Sequence, residues 1–221
     1  RLALMIHHMR ANKAYGYLAQ QAGGDSDGQL LEKLRNRFRW YRKAWRNQPR
    51  YAIKHKLHRE SFQKSDLPPL CVDIETAAVC DLACPFCFRQ WIATPDKIIQ
   101  EELYYRIIDQ CAELGVPSVK LNWRGEPLLH PKLPEFVDYA KRAGILETII
   151  NTNAVTLDEG KSRALIKAGL DLLIYSFDGG TKETYEQMRV GRFSSNSFKD
   201  VYENIRRFSR RSRNDSACAS R

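Results

Sequence analysis

An α/β fold on a parallel sheet is what this sequence predicts, and two features carry the prediction. From about residue 70, short apolar strand-like runs alternate with amphipathic helical stretches, the pattern of parallel strands joined by right-handed crossovers. Each strand-like run also ends in a polar cluster. These clusters would gather on the rim formed by the strands' C-terminal ends, where such architectures carry their functional residues.

Before that alternation lies an extension of different character. The 221 residues are enough for a substantial core. Residues 1–22 carry a weak helical pattern, and Gly23-Gly24-Asp25-Ser26-Asp27-Gly28 reads as a flexible turn. From Leu30 the apolar residues Leu31, Leu34, Phe38, Tyr41 and Trp45 recur at helical spacing among Arg and Lys, which predicts an amphipathic basic helix stopping near Pro49. Its expected use is docking on the core, because Phe38 and Trp45 need burial; a membrane surface or nucleic acid are the alternatives. Pro68-Pro69 marks the boundary, giving a helical basic segment over 1–68 and an α/β core over 69–208.

Within the core the elements follow in order. Val72 to Thr76 is the first expected strand, followed by a loop with three cysteines. A helix from Ile98 to Leu114 places Ile99, Leu103, Ile107, Cys111 and Leu114 on one face, which makes Cys111 a core residue. The second strand, Ser118 to Trp123, ends in Arg124-Gly125-Glu126-Pro127, and a helix over about 132–143 stops at Gly144. The third strand, Thr148 to Asn151, ends in Asn151-Thr152-Asn153, and a helix over about 158–168 is capped by Gly169. The fourth strand, Leu172 to Phe177, ends in Ser176-Phe177-Asp178-Gly179; a helical turn at 182–188 and a longer helix from Phe198 to about Arg210 follow. Residues 209–221 show no strand pattern and read as a disordered tail.

Composition narrows the class. The net charge of +10 is concentrated between Lys33 and Lys64, where Glu60 is the single acid, while the stretch from Asp66 to Asn204 is mildly acidic. No run approaches the roughly 18 apolar residues of a membrane span, and a cytoplasmic location is expected. Six cysteines, unevenly spread, do not suit a secreted disulfide scaffold.

The chemistry points to Cys80-Asp-Leu-Ala-Cys84-Pro-Phe-Cys87. Three thiolates so close cannot pair off as disulfides without a remainder, yet they can wrap one corner of a metal centre. Structural zinc and ordinary ferredoxin clusters take four protein ligands, and no fourth cysteine stands at matching spacing. A four-iron cubane on three cysteines leaves one iron open to a small molecule. A three-cysteine zinc site completed by a histidine is the alternative, with His130 as a candidate ligand. A binding module whose functional surface is the basic helix, its cysteines only structural, is the other.

The Cys-x3-Cys-x2-Cys spacing, with Phe86 before the third cysteine, resembles the signature of the radical S-adenosylmethionine superfamily. The resemblance covers roughly Leu70 to Arg207. It implies a partial (β/α) barrel, a [4Fe-4S] cluster on Cys80, Cys84 and Cys87, and S-adenosylmethionine chelated to the open iron. Reductive cleavage would then give a 5′-deoxyadenosyl radical that abstracts hydrogen from a substrate. By the same resemblance Phe86 lies near the adenine. Gly125, Glu126 and Pro127 match the end of the superfamily's Gly-Gly-Glu-Pro motif, which contacts the cofactor's amino group, with Arg124 in place of the first glycine. Asn153 stands in a Thr-Asn-Ala run similar to the family's Thr-Asn-Gly and would bond cofactor or substrate, or serve as a turn residue. Ser176 and Asp178 match the Ser-x-Asp that reaches the ribose hydroxyls, with helix capping as the competing use of Asp178. Arg189 would reach a cofactor carboxylate or form a surface salt bridge.

The run Gly180 to Arg189 is similar to that of members bearing a C-terminal accessory cluster (SPASM) domain, which tilts the expected substrate toward a peptide or protein side chain, with a sugar, other small metabolite or RNA next. An external electron donor such as flavodoxin or ferredoxin is implied. The family's barrel has six βα units and this chain shows four, so a truncated barrel with the fourth strand as an uncovered edge is expected.

Overall fold

The computed structural model describes residues 13, 17, 27–56, 68–93 and 95–218. Four strands, β1 (Val72–Asp73), β2 (Ser118–Lys120), β3 (Glu147–Thr152) and β4 (Leu172–Tyr175), form one sheet in the order β1-β2-β3-β4. Every neighbouring pair is parallel, with Val72 opposite Val119, Val119 opposite Thr148 and Ile149 opposite Leu172. The helices are α1 (Asp27–Lys54), α2 (Glu101–Glu113), α3 (Leu133–Arg142), α4 (Glu159–Ala168), α5 (Lys182–Met188) and α6 (Phe198–Cys218). This is the α/β arrangement that the alternation predicts, in the form of an open partial barrel.

Local chemistry sets the helix ends. The Asp158 carboxylate accepts from Lys161 N at 2.7 Å to start α4, and Gly169, at φ 89°, ends it. Thr181 caps α5 in the same way. The side chains that alternate toward the helices form the core. Ile74, Val119, Leu121 and Ile150 pack with Tyr104 and Ile108 of α2, Phe136 and Val137 of α3, and Leu165 of α4. The Tyr104 and Phe136 rings stack at 3.9 Å.

Several expectations need correction. The buried stripe of α2 is Tyr104, Ile108 and Cys111, whereas Leu103 and Leu114 are exposed. Cys111 belongs to both sets, but the i, i+4, i+7 line through Tyr104 carries the bulkier ring and faces the sheet. Helix α1 continues through Pro49 to Lys54, with the proline on an exposed turn of the helix. Gly28 lies inside α1 rather than in a turn. Helix α6 runs to Cys218 instead of yielding to a disordered tail at 209, and both Arg207 and Arg211 pair with Glu159 of α4. The helix expected over residues 1–22 lies outside the described residues apart from Lys13 and Tyr17, both of which bond Asp138 of α3.

Helix α1 docks at the strands' N-terminal end. Leu30, Leu34, Tyr41 and Ala44 are buried, the Tyr41 hydroxyl donates to Glu147 Oε2 at 2.6 Å, and Arg37 donates to Gly144 O at 3.2 Å. Burial, with Glu147 beside it, pushes the Tyr41 phenol up to about 12. Strand β4 is the sheet's other edge, and its Leu172 and Ile174 are exposed.

One charge is fully enclosed. Lys141 donates to Leu146 O at 2.9 Å and to Asp171 Oδ2 at 2.7 Å, and that same oxygen accepts from Thr148 N and Oγ1. Asp171→Ala would strand a buried ammonium and cost about 3–5 kcal/mol. Urea unfolding should show the loss for Asp171→Ala and a much smaller one for Asp109→Ala, whose exposed carboxylate bonds Tyr139.

Candidate active site

The cysteine loop is clipped on two sides. Ala77 bridges Ile98 and Ala78 N donates to Lys97 O at 2.8 Å; across the loop, Leu82 bridges Gly191, Ala83 N donates to Val190 O and Arg192 N to Asp81 O. Gly191 is required there, because a Cβ would lie 1.7 Å from Ser194 O. Within the loop Cys87 N donates to Cys84 O at 3.0 Å, and a short 3-10 turn, Phe88–Trp91, follows Cys87.

The loop after β2 presses directly on the cysteine loop. Gly125 has φ 63°, and a Cβ on it would lie 2.2 Å from Ala77 O and 2.7 Å from Val79 O. Arg124, at the position of the family's first glycine, forks onto Glu75 through Nε at 2.8 Å and Nη2 at 2.7 Å. That bidentate pair ties the ends of β1 and β2 together.

Glu126 is 2% exposed. Its Oε1 accepts from Leu128 N at 3.0 Å and Thr152 Oγ1 at 2.6 Å, and Oε2 accepts from Asn153 N at 2.8 Å. Burial pushes its carboxyl up to about 7, against the pull of these three donors. Asn153 extends the chain of bonds by donating Nδ2 to Asp81 Oδ1 at 2.6 Å, while its Oδ1 accepts from Val155 N. The left-handed residue of this turn is Ala154, at φ 60°, not Asn153.

These elements enclose a cavity of about 230 Å³. Cys80, Cys84, Cys87, Gly125, Glu126, Asn153, Ser176 and Arg189 all line it, so one rim assembles eight of the eleven cluster and cofactor residues expected from sequence. The other three stand off its wall. Pro127 is buried in the 3-10 turn Pro127–Leu129, Phe86 is half-exposed, and Asp178 pairs with Arg189. Arg189 links Asp178 and Phe86 back to the cavity: it lines the wall, donates to Cys84 Sγ at 3.6 Å and lies 5.4 Å from the Phe86 ring centre. Asn151, of the polar run after β3, also lines the wall, as do Lys120 and Asn122, which no sequence motif announces. The signal available for them was strand alternation alone, which puts these polar side chains on the sheet face opposite the helices. His130 is a structural residue: Nδ1 accepts from Lys132 N, and Nε2 lies 3.2 Å from Ile99 O.

The donor set fits an iron–sulfur cluster. Burial raises the Cys80 thiol to about 12 and lifts Cys84 as well, with Arg189 opposing the latter, so metal must displace protons on binding. Among the described residues no three His, Cys, Asp or Glu side chains converge on a single metal ion. Three thiols on one cavity match a cluster that keeps one iron open, whereas a structural zinc site takes four protein ligands. Two further wall atoms, Asn151 Oδ1 and Arg189 Nε, are buried without a partner among the described residues, leaving polar capacity for a cofactor.

A parallel α/β sheet with three cysteines and a buried carboxylate on one rim defines the class, and comparison with known proteins agrees. Residues 74–219 match the Radical SAM superfamily, and the chain belongs to it. Membership brings a [4Fe-4S] cluster and S-adenosylmethionine as its cofactors. The chain is 34% identical over 122 residues to a PqqA peptide cyclase of Gluconobacter oxydans, covering 55% of this chain and 34% of that protein. It is 32% identical over 135 residues to a GTP 3',8-cyclase of Chlorobaculum tepidum, covering 61% and 38%. The chain thus spans little more than a third of these relatives. The solved structure of native anSMEcpe with bound AdoMet and Cp18Cys peptide shares the fold at TM-score 0.54 and 21% identity, over 65% of this chain and 40% of that one. No helix among the described residues is long and apolar enough to cross a membrane.

Gly125→Ala combines a positive φ with overlap against three backbone atoms of the cysteine loop, so it should destabilise the protein by more than about 1 kcal/mol. Its thermal midpoint and the iron it retains after anaerobic reconstitution should both fall. Gly180→Ala, whose added Cβ meets nothing within 4 Å, should change neither.

Proposed function

We propose that this chain is the catalytic core of a radical S-adenosylmethionine enzyme acting on a peptide or protein side chain. The observation that carries the catalytic part is the single cavity lined by Cys80, Cys84, Cys87 and the buried Glu126. When bound, the cluster and S-adenosylmethionine supply one-electron cleavage to a 5′-deoxyadenosyl radical, which takes hydrogen from the substrate. Cys80, Cys84 and Cys87 would hold three irons of the cluster and leave the fourth open to S-adenosylmethionine. Glu126 accepts a hydrogen bond from the amino group, its own position fixed by Leu128, Thr152 and Asn153. Gly125 lets the backbone come close. Asn153 holds the cysteine loop through Asp81 and so positions the thiols. At the mouth Arg189 offers its guanidinium to the cofactor carboxylate while orienting Asp178, which with Ser176 serves the ribose hydroxyls; Phe86 stands beside Arg189 for the adenine. Pro127 sets the turn that aims Glu126. An external flavodoxin or ferredoxin in the cytoplasm delivers the electron.

Likeness to the PqqA peptide cyclase supports the peptide, as does the fold shared with a neighbour solved with a bound peptide. The similar likeness to a GTP 3',8-cyclase favours a nucleotide or other small metabolite as the second reading.

Reconstituted protein given dithionite and S-adenosylmethionine should release 5′-deoxyadenosine, measured by chromatography, and Cys84→Ala should release none. Glu126→Gln should bind S-adenosylmethionine about tenfold or more weakly, as loss of a hydrogen bond to a charged group implies, and should retain less iron than the wild type because the amide cannot accept from all three donors. Deuterated peptide substrate should pass deuterium into 5′-deoxyadenosine; transfer from deuterated GTP instead would assign the second reading.

A further inference from the structure

The outer face of α1 takes no part in the site described above. Its apolar face is used inward, with Leu30, Leu34, Tyr41 and Ala44 buried. What remains outside is cationic. Lys43, Arg46, Arg50 and Lys54 stand at i, i+3, i+7 and i+11, one side of a helix, with Arg42 on its shoulder. All five are exposed, and none forms an ion pair with an acid among the described residues, whereas Arg35 and Arg39 nearer the helix start both reach Glu32. The four-residue line extends over about 16 Å at the rise of an α-helix. Exposed aromatic rings Trp40 and Tyr51 flank this line on one side, whereas Trp45 lies on the far side of the helix, edge-on to buried Tyr41.

We propose that this face binds single-stranded nucleic acid. A line of cations without acidic partners among the described residues matches a chain of regularly spaced phosphates, and the aromatic rings on its flank offer stacking surfaces that bases use irrespective of sequence. The other anionic partners fit less well. A helix lying in a membrane surface turns its apolar face to the lipid, and here the protein already covers that face. An electron donor must approach the cluster, yet α1 bonds Gly144 and Glu147 at the N-terminal end of β3, whereas the cysteine loop follows the C-terminal end of β1. The inference stands apart from the proposed reaction and does not depend on it.

Fluorescence anisotropy with labelled oligouridylate and oligothymidylate tests it. Binding by the full chain should weaken with salt at a log–log slope of about −3.5, the value for five neutralised phosphates on a single strand. Lys43→Gln/Arg46→Gln/Arg50→Gln should cut that slope to about −1.4. Trp40→Ala should weaken binding about fivefold or more with the slope unchanged. Lys182→Gln/Lys199→Gln, which removes exposed charge elsewhere, should leave binding intact, and thermal melts should show all variants folded. Absence of binding at low salt, or binding that the triple variant retains with an unchanged slope, would overturn the proposal. So would capture by phosphatidylserine vesicles without any by oligonucleotide.

Discussion

The carboxylate of Glu126 takes hydrogen bonds from Leu128 in its own turn and from Thr152 and Asn153 at the end of β3, and Asn153 passes the connection to Asp81 between the first two cysteines. The ends of β2 and β3 thereby share one buried acceptor, and Asn153 ties the cysteine loop to it. Because Glu126 is removed from water, each donor is worth more than on the surface, and leaving any one unpaired would cost more. The Gly125 backbone, packed against Ala77 and Val79, and the Arg124 fork on Glu75 complete the clamp. The cysteine loop has little regular structure of its own, so its geometry is set by this clamp and by the bridge to Gly191.

Much of this was legible in the sequence. The four strands and their rim clusters followed from alternation, the cysteines from their spacing, and Gly125, Glu126, Asn153 and Ser176 from their resemblance to the superfamily's motifs. Harder to read were contacts between distant positions. Arg189 reaches Cys84 across 105 residues, and nothing in its local run distinguishes that use from a surface salt bridge. Asn153 resembled a direct ligand or a turn former, but its side chain bonds within the protein and the left-handed turn falls on Ala154. The face of α2 misled for a different reason: Leu103 and Tyr104 both continue an apolar series, and only the sheet decides which is buried.

The two ends of the sheet carry different work. At the strands' C-terminal rim are the thiols, the buried carboxylate and the polar wall of Lys120, Asn122 and Asn151. At the opposite end α1 closes the sheet through Tyr41 and Arg37 and turns its charge outward. Leu172 and Ile174 on the open edge of β4 are apolar and exposed, the kind of surface that a further strand or a partner covers.

The central claim is that three cysteines leave one iron for S-adenosylmethionine. Low-temperature electron paramagnetic resonance of the anaerobically reconstituted, reduced protein tests it most directly. The account predicts a [4Fe-4S]⁺ signal that shifts when S-adenosylmethionine is added and is lost in Cys84→Ala. A cluster whose signal is indifferent to S-adenosylmethionine, or a protein that takes up zinc in place of iron, would contradict it.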